Sequence, residues 1–210
     1  TKQFTTPINV AIPSGNFGNA YSAWFGRSNG LPISEIFCST NVNDVLRRFI
    51  DGGVLEPLVT EPSVAPSMDI QIPSSLERLI FDLSTEAKEF YSELQESTKA
   101  HLGKKSVETL KSVFSSVTFS DEMIKTRITS LHDEFGIIFD PHTVTSVQMA
   151  LDNDSSLPTV AVATASPEKF GNVISPLING FTESKIDQKE QYLTLSTENA
   201  AIIEAIKAFI

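Results

Sequence analysis

The residues best suited to chemistry are Gly15, Asn16, Phe17, Gly18 and Asn19, which follow a short apolar run and lead into a helical pattern. A Gly-rich turn that feeds a helix leaves the first helical N–H groups without intrahelical acceptors. The helix dipole adds partial positive charge at the same place. That geometry suits phosphate. Gly15 and Gly18 would let the backbone approach an anion without a Cβ in the way. The pattern is neither the G-x-G-x-x-G dinucleotide fingerprint nor the G-K-[ST] P-loop. An anion site and an ordinary βα turn are therefore both compatible with these residues. A second junction lies at Val160–Ser166 (VAVATAS), where Thr164 comes just after an apolar run. Ligands of open α/β sheets sit beyond the carboxyl ends of the strands, so Ser14–Asn19 and Thr164 would share one crevice. Capping of the next helix is the other role open to Thr164.

Other candidates are weaker. Ser166-Pro167-Glu168-Lys169 fits S-x-x-K, but the companion triplets S-D-N and K-T-G are missing. There is no G-x-S-x-G elbow. His101, His132 and His142 fall in no H-x-x-x-H spacing, and a lone cysteine cannot build a Cys cluster, so no metal site is expected. His142, in a turn after Pro141, is the one histidine placed near possible chemistry; its setting favours a structural hydrogen-bonding role. Cys38 reads as a small buried hydrophobe.

These residues need elements to hold them. Residues 8–12 (INVAI) read as a buried parallel strand, Ala20–Ser28 as a helix closed by Asn29-Gly30, and Ile33–Ser39 as a second strand. Asn41 is expected to cap a helix over Val42–Ile50, which Gly52-Gly53 would stop. Residues 57–75 are rich in Pro, Ser and Thr and read as a long ordered loop. From Leu76 to His132 the spacing is helical, with Leu110, Val113 and Phe114 on one stripe, and Ser120 opens a helix that Gly136 ends. The α/β texture resumes at Ile137-Ile138-Phe139, then gives a helix over Val144–Leu151, a buried strand at Pro158–Ala163 and a helix from Glu168. A strand is expected at Tyr192–Leu195, and a C-terminal helix capped by Thr197 with Ile203, Ile206 and Ile210 on its apolar stripe. The fold class that follows is α/β: a parallel sheet with helices on both faces, interrupted over residues 57–135 by a mostly helical insertion.

The 210 residues, 40% of them hydrophobic, suffice for a real core. The net charge of -10 disfavours nucleic acid and anionic membrane surfaces as partners. No apolar stretch approaches the roughly 18 residues of a spanning helix. The single cysteine fits a reducing, cytoplasmic setting. The chain opens TKQFTTPINV and enters a strand pattern at once, with no initiator Met and no leader, as a piece of a longer protein would.

Several stretches together resemble one family. PSGNFGNAYSAWFGRSNGLPI, then STNVNDVLRRFIDGG, PSMDIQIPSSLERLIF, FGIIFDPHTVTSVQMAL and VAVATASPEKF resemble, in order and spacing, threonine synthase, a pyridoxal-phosphate enzyme of fold type II. The resemblance spans roughly residues 8–180 and departs at Ser166, where many members carry His. It implies that Gly15, Asn16, Phe17, Gly18 and Asn19 hold the cofactor phosphate and that Thr164 hydrogen-bonds the pyridine nitrogen. It implies the conversion of O-phosphohomoserine and water to threonine and phosphate: protons leave Cα and Cβ, phosphate leaves Cγ, and water adds at Cβ. The Schiff-base lysine of the family lies N-terminal to the phosphate turn. Here only Lys2 precedes that turn, and its TKQ context does not resemble the lysine motif. The expectation is the C-terminal part of a longer enzyme, inactive alone, whose partner is the missing N-terminal part. A serine or threonine dehydratase is disfavoured because Asn16-Phe17 separates the glycines. A non-catalytic threonine synthase-like protein that binds a phosphorylated ligand is the alternative from another class.

Overall fold

The structure, a computed structural model, describes residues 6–85 and 87–182, with residues 203, 204 and 207 near the C-terminus. The expected strand at Tyr192–Leu195 and the Thr197 cap lie outside the described residues, as does Lys2.

The first half alternates β1 (Ile8–Pro13), α1 (Gly18–Ser28), β2 (Ile33–Thr40) and α2 (Val45–Gly52). A short β3 (Val54–Leu55) and a long connection with a 3-10 turn at Pro66–Met68 lead to α3 (Leu76–Leu83) and α4 (Ala87–Ser97). Then come β4 (Ala100–His101), α5 (Lys104–Lys111), β5 (Phe114–Thr118), α6 (Asp121–Phe135) and α7 (Thr143–Leu151). Last are β6 (Thr159–Ala161), a second 3-10 turn at Pro167–Phe170, and α8 (Gly171–Ile174). The main sheet has the order β5-β2-β1-β6, and every pairing in it is parallel. Ile12 lies beside Cys38 and Val10 beside Val160, so the three predicted strands share one sheet.

The pleat divides the side chains between two faces. Val10, Ile12, Ile36, Cys38 and Phe114 point to a core built with Ala20 of α1 and Leu46, Phe49 and Ile50 of α2. Ala11 and Phe37 point the other way, to Met149 of α7. The fold is thus a parallel α/β sheet with helices on both faces. A second core joins Ala65 and Met68 to Ile124, Ile128 and Leu131 of α6, Val144 of α7, and Ile174 and Ile178. That core anchors the 3-10 turn at Pro66–Met68.

Local chemistry explains most element ends. Ser120 Oγ accepts from the Met123 N–H at 3.2 Å and opens α6, whose first turn carries Asp121 and Glu122. Gly136, at φ 68°, ends it in the left-handed region.

Three expectations change. Asn41 is not a cap: α2 begins at Val45, and the Asn41 amide instead donates to Asp69 Oδ1 at 2.6 Å and Ser63 Oγ at 2.7 Å. Residues 57–135 are mostly helical but also supply β5, which pairs with β2; Phe114 belongs to this strand and Val113 immediately precedes it. Tertiary pairing overrides the helical spacing there, because the β-branched and aromatic residues of Val113–Phe119 fit an edge position. Finally, β6 is half-exposed rather than buried, having one neighbour among the described residues.

Candidate functional site

The site begins where β1 stops. The Ser14 N–H donates to the Ser39 carbonyl at 2.9 Å, the last rung between β1 and β2. The chain then turns through Gly15, Asn16 and Phe17. Phe17 adopts φ 68° and ψ 9°, a conformation rare for a bulky residue. Its ring is fully buried, 5.6 Å from that of Phe114, so packing fixes the turn. The Ser75 N–H donates to the Asn16 carbonyl at 3.0 Å and ties the turn to the start of α3.

α1 starts at Gly18 with no side-chain cap and no acidic residue in its first turn. Tyr21 is the first residue whose N–H reaches back along the helix, to the Phe17 carbonyl at 2.9 Å. Nothing in the first turn neutralises the positive end of the dipole.

The opposite wall is the 3-10 turn. A Cβ on Gly15 would stand 2.6 Å from the Ser67 carbonyl oxygen and 3.1 Å from Met68 Cα. Glycine is therefore required at 15 for the two backbones to meet. A Cβ on Gly18 would meet only Ser75 Oγ, at 3.7 Å.

Pro13, Ser14 and all five turn residues line one pocket of about 290 Å³, together with Ser67, Met68, His142, Thr164 and Ala165. The structure thus brings Thr164 beside the turn. Its N–H donates to Thr143 Oγ1 at 3.1 Å, and the residue is exposed. It caps no helix: the N-cap position of the following 3-10 turn belongs to Ser166.

His142 is buried, and its ring packs 4.8 Å from that of Phe170. Nδ1 donates to Asp140 Oδ1 at 2.9 Å, and Nε2 accepts from the Ser67 N–H at 3.1 Å. These partners assign the neutral tautomer with the proton on Nδ1. Asp140 Oδ1 also accepts the His142 N–H at 2.9 Å and the Thr143 N–H at 3.3 Å. Burial works against ionisation of Asp140, but the hydrogen bonds from His142 and Thr143 outweigh it and hold the carboxyl below its usual range. Asp140 Oδ2 is buried without a hydrogen-bond partner.

The sequence reading missed Ser67, Met68 and Asp140 as parts of this site. Their only signal was membership of stretches that resemble the family: the Pro- and Ser-rich loop that holds Ser67 and Met68 has no spacing to interpret, and Asp140 acts only through its hydrogen bonds to His142 and Thr143. Cys38 is fully buried and burial pushes its thiol up to about 12, so it is no nucleophile. Among the described residues no lysine lines the pocket, and no group of His, Cys, Asp or Glu side chains could hold a metal. No helix among them is long and apolar enough to cross a membrane. A larger open groove of about 1220 Å³ lies between α1, α3 and α4, away from these residues.

No family model matches the chain. Individual relatives do. Threonine synthase of Pseudomonas aeruginosa is 32% identical over 209 residues, a match that covers 93% of this chain and 44% of that protein. The Saccharomyces cerevisiae threonine synthase is 29% identical over 216 residues, covering 90% of this chain and 42% of that one. The chain is a homologue of the threonine synthases along most of its length. Solved threonine synthases share its fold. A PLP-bound (pyridoxal phosphate) threonine synthase from Brucella melitensis superposes with a TM-score of 0.83 at 26% identity, over 99% of this chain and 47% of that one. The yeast threonine synthase gives 0.77 at 29% identity, over 86% and 40%. The fold is therefore fold type II. The chain spans less than half the length of these threonine synthases. Human threonine synthase-like 1 is also related, 30% identical over 216 residues, covering 97% of this chain and 29% of that protein.

Proposed function

We propose that this chain is the part of a pyridoxal-phosphate-dependent threonine synthase that holds the cofactor phosphate, in an enzyme converting O-phosphohomoserine and water to threonine and phosphate. The observation that carries it is the convergence of an uncapped helix start, a glycine-held turn and Thr164 in one pocket. The fit is chemical: a dianionic phosphate needs several N–H donors and no competing carboxylate, and the first turn of α1 offers both.

The backbone N–H groups of Gly15, Asn16, Phe17, Gly18 and Asn19 would hold the phosphate. The Thr164 hydroxyl would hydrogen-bond the pyridine nitrogen and orient the ring. A neutral hydroxyl at that position does not enforce a protonated ring as a carboxylate would. When bound, pyridoxal phosphate supplies the electron sink for charge that develops as protons leave Cα and Cβ. The pocket's exposed side is where the covalently bonding lysine, and the rest of the active site, would come from the parent enzyme.

The test is phosphate release from O-phosphohomoserine by the full-length parent protein, alongside the 210-residue chain. Turnover by the parent and none by the chain is expected. A second reading, a non-catalytic threonine synthase-like protein that binds a phosphorylated ligand, is favoured by the threonine synthase-like 1 relative, which matches 97% of this chain. A full-length protein that binds phosphate esters at Gly15–Asn19 without turning them over would establish that reading instead.

A further inference from the structure

We infer that Ser67 is a further anion-binding residue of this pocket, and that His142 is the positioning residue that sets it there. The inference rests on the phosphate-binding reading of Gly15–Asn19 and extends it to the facing wall. Ser67 lines the same pocket as the turn; the residue is exposed, and its hydroxyl has no hydrogen-bond partner among the described residues. A free hydroxyl beside an anion site is a ready donor, able to rotate its proton toward an oxygen.

Its backbone, in contrast, is fixed on three sides. The Ser67 N–H donates to His142 Nε2 at 3.1 Å. Its carbonyl abuts Gly15 so closely that no Cβ fits between them. The following residue, Met68, is buried in the second core. His142 is itself immobilised by Asp140 on Nδ1 and by the ring of Phe170. Both ring nitrogens are thus engaged within the chain. His142 has no free nitrogen for a ligand, and its influence on the pocket passes through Ser67.

The experiment uses the full-length protein, four single variants (Ser67→Ala, His142→Gln, His142→Asn and Gly18→Val) and the double variant that combines Ser67→Ala with His142→Asn. The dissociation constant of pyridoxal phosphate is read from its absorbance, and that of O-phosphohomoserine is measured on cofactor-loaded protein. Ser67→Ala is expected to weaken one of them about tenfold or more, the loss of one hydrogen bond to a charged group. Weakening of the first places Ser67 on the cofactor's phosphate; weakening of the second alone places it on the substrate's.

A Gln at 142 carries its carbonyl oxygen near the place of Nε2 and keeps an acceptor for the Ser67 N–H. An Asn is too short to do so but still reaches Asp140. His142→Gln should therefore bind nearly as the parent does. His142→Asn should match Ser67→Ala, adding nothing when the two are combined, with faster amide hydrogen exchange at Ser67. If His142→Gln and His142→Asn behave alike, the positioning role of His142 is overturned. If Ser67→Ala changes neither constant while Gly18→Val abolishes cofactor binding, the Ser67 proposal falls and the turn stands. If Gly18→Val also leaves binding unchanged, the phosphate reading itself falls.

Discussion

At Gly15 and Gly18, two glycines in one turn do different work. Gly15 has no room for a Cβ, because the Ser67 carbonyl would stand 2.6 Å away. Gly18 has room, with Ser75 Oγ at 3.7 Å. Gly15→Ala should push the 3-10 turn away from the sheet and lower stability, by about 1–3 kcal/mol as overpacking does. Gly18→Val should leave the fold nearly intact and abolish phosphate binding, because its branched side chain stands at the uncapped helix start. Urea midpoints and a phosphate titration on both variants check the split; equal loss of stability would remove it. Asp140 gives a pH prediction. Its carboxyl is held below the usual range, so as pH falls the native state takes up this proton later than the unfolded chain does. The stabilisation is complete above the unfolded value of about 4. It is lost as pH drops through the lower native value. Asp140→Asn should therefore flatten the fall in stability between about pH 6 and pH 2. Urea midpoints across that range are the measurement, and an unchanged slope would count against the ionised carboxylate.

Among the elements, the connection over residues 57–75 decides the shape of the site. The Asp69 carboxylate ties it down: Oδ1 accepts from Asn41 Nδ2 and Ser63 Oγ, each at 2.6 Å, and from Asn43 Nδ2 at 3.1 Å. Oδ2 accepts the Ser63 N–H at 3.0 Å. Asn41 and Asn43 stand just after β2, so the loop is fastened to the carboxyl end of the sheet, the same edge as the phosphate turn. Asp69→Ala should free the loop and cost about 2–4 kcal/mol, since several buried amide and hydroxyl donors lose their shared acceptor. Limited proteolysis should then cut within residues 57–75 first; cleavage elsewhere would mean that the second core holds the loop without Asp69. The same element marks how far the sequence can be read. β1, α1 and β2 were legible because apolar runs, a Gly-rich turn and a C-cap are local signals. So were Ser120 and Gly136 at the two ends of α6. The role of Asn41 was not legible, because its partner Asp69 is distant in sequence and a capping residue looks the same from one end. β5 was hidden because Leu110, Val113 and Phe114 happen to fall at helical spacing, and only the edge of β2 makes a strand of the last. The turn and Thr164 were legible as candidates, and their meeting in one pocket follows from β1 and β6 being neighbours. His142's hold on Ser67 spans 75 residues and leaves no trace in spacing.

For the whole molecule, charge and completeness pull against the turn. The chain carries a net charge of -10, so an approaching phosphate is repelled at long range, and whatever attracts it must be local. The N–H groups of the turn and the dipole of α1 are local, and they persist in the 210-residue chain without its parent. A hydrogen bond to a charged group contributes about 1.5–3 kcal/mol. In a pocket open to water much of that is lost to competing solvent. Inorganic phosphate should therefore bind the chain weakly, with a dissociation constant on the order of millimolar. On the proposed function, pyridoxal phosphate should bind little better, because the covering wall and the bonding lysine would come from the rest of the parent enzyme. On the proposed function, a full-length parent that adds a second wall and the bonding lysine should hold the same phosphate group far more tightly, because water would be excluded and the two attachments would act as one. A chemical-shift titration of the chain with phosphate decides it. The largest shifts should fall on the amides of residues 15–19, with smaller ones at Ser67, and they should vanish in Gly18→Val. Shifts centred on the groove between α1, α3 and α4 would instead mean that the anion prefers Arg78 and Lys88, which line it, over the helix start. Affinity for pyridoxal phosphate equal to that of the full-length protein would show that this chain holds the cofactor without a second wall.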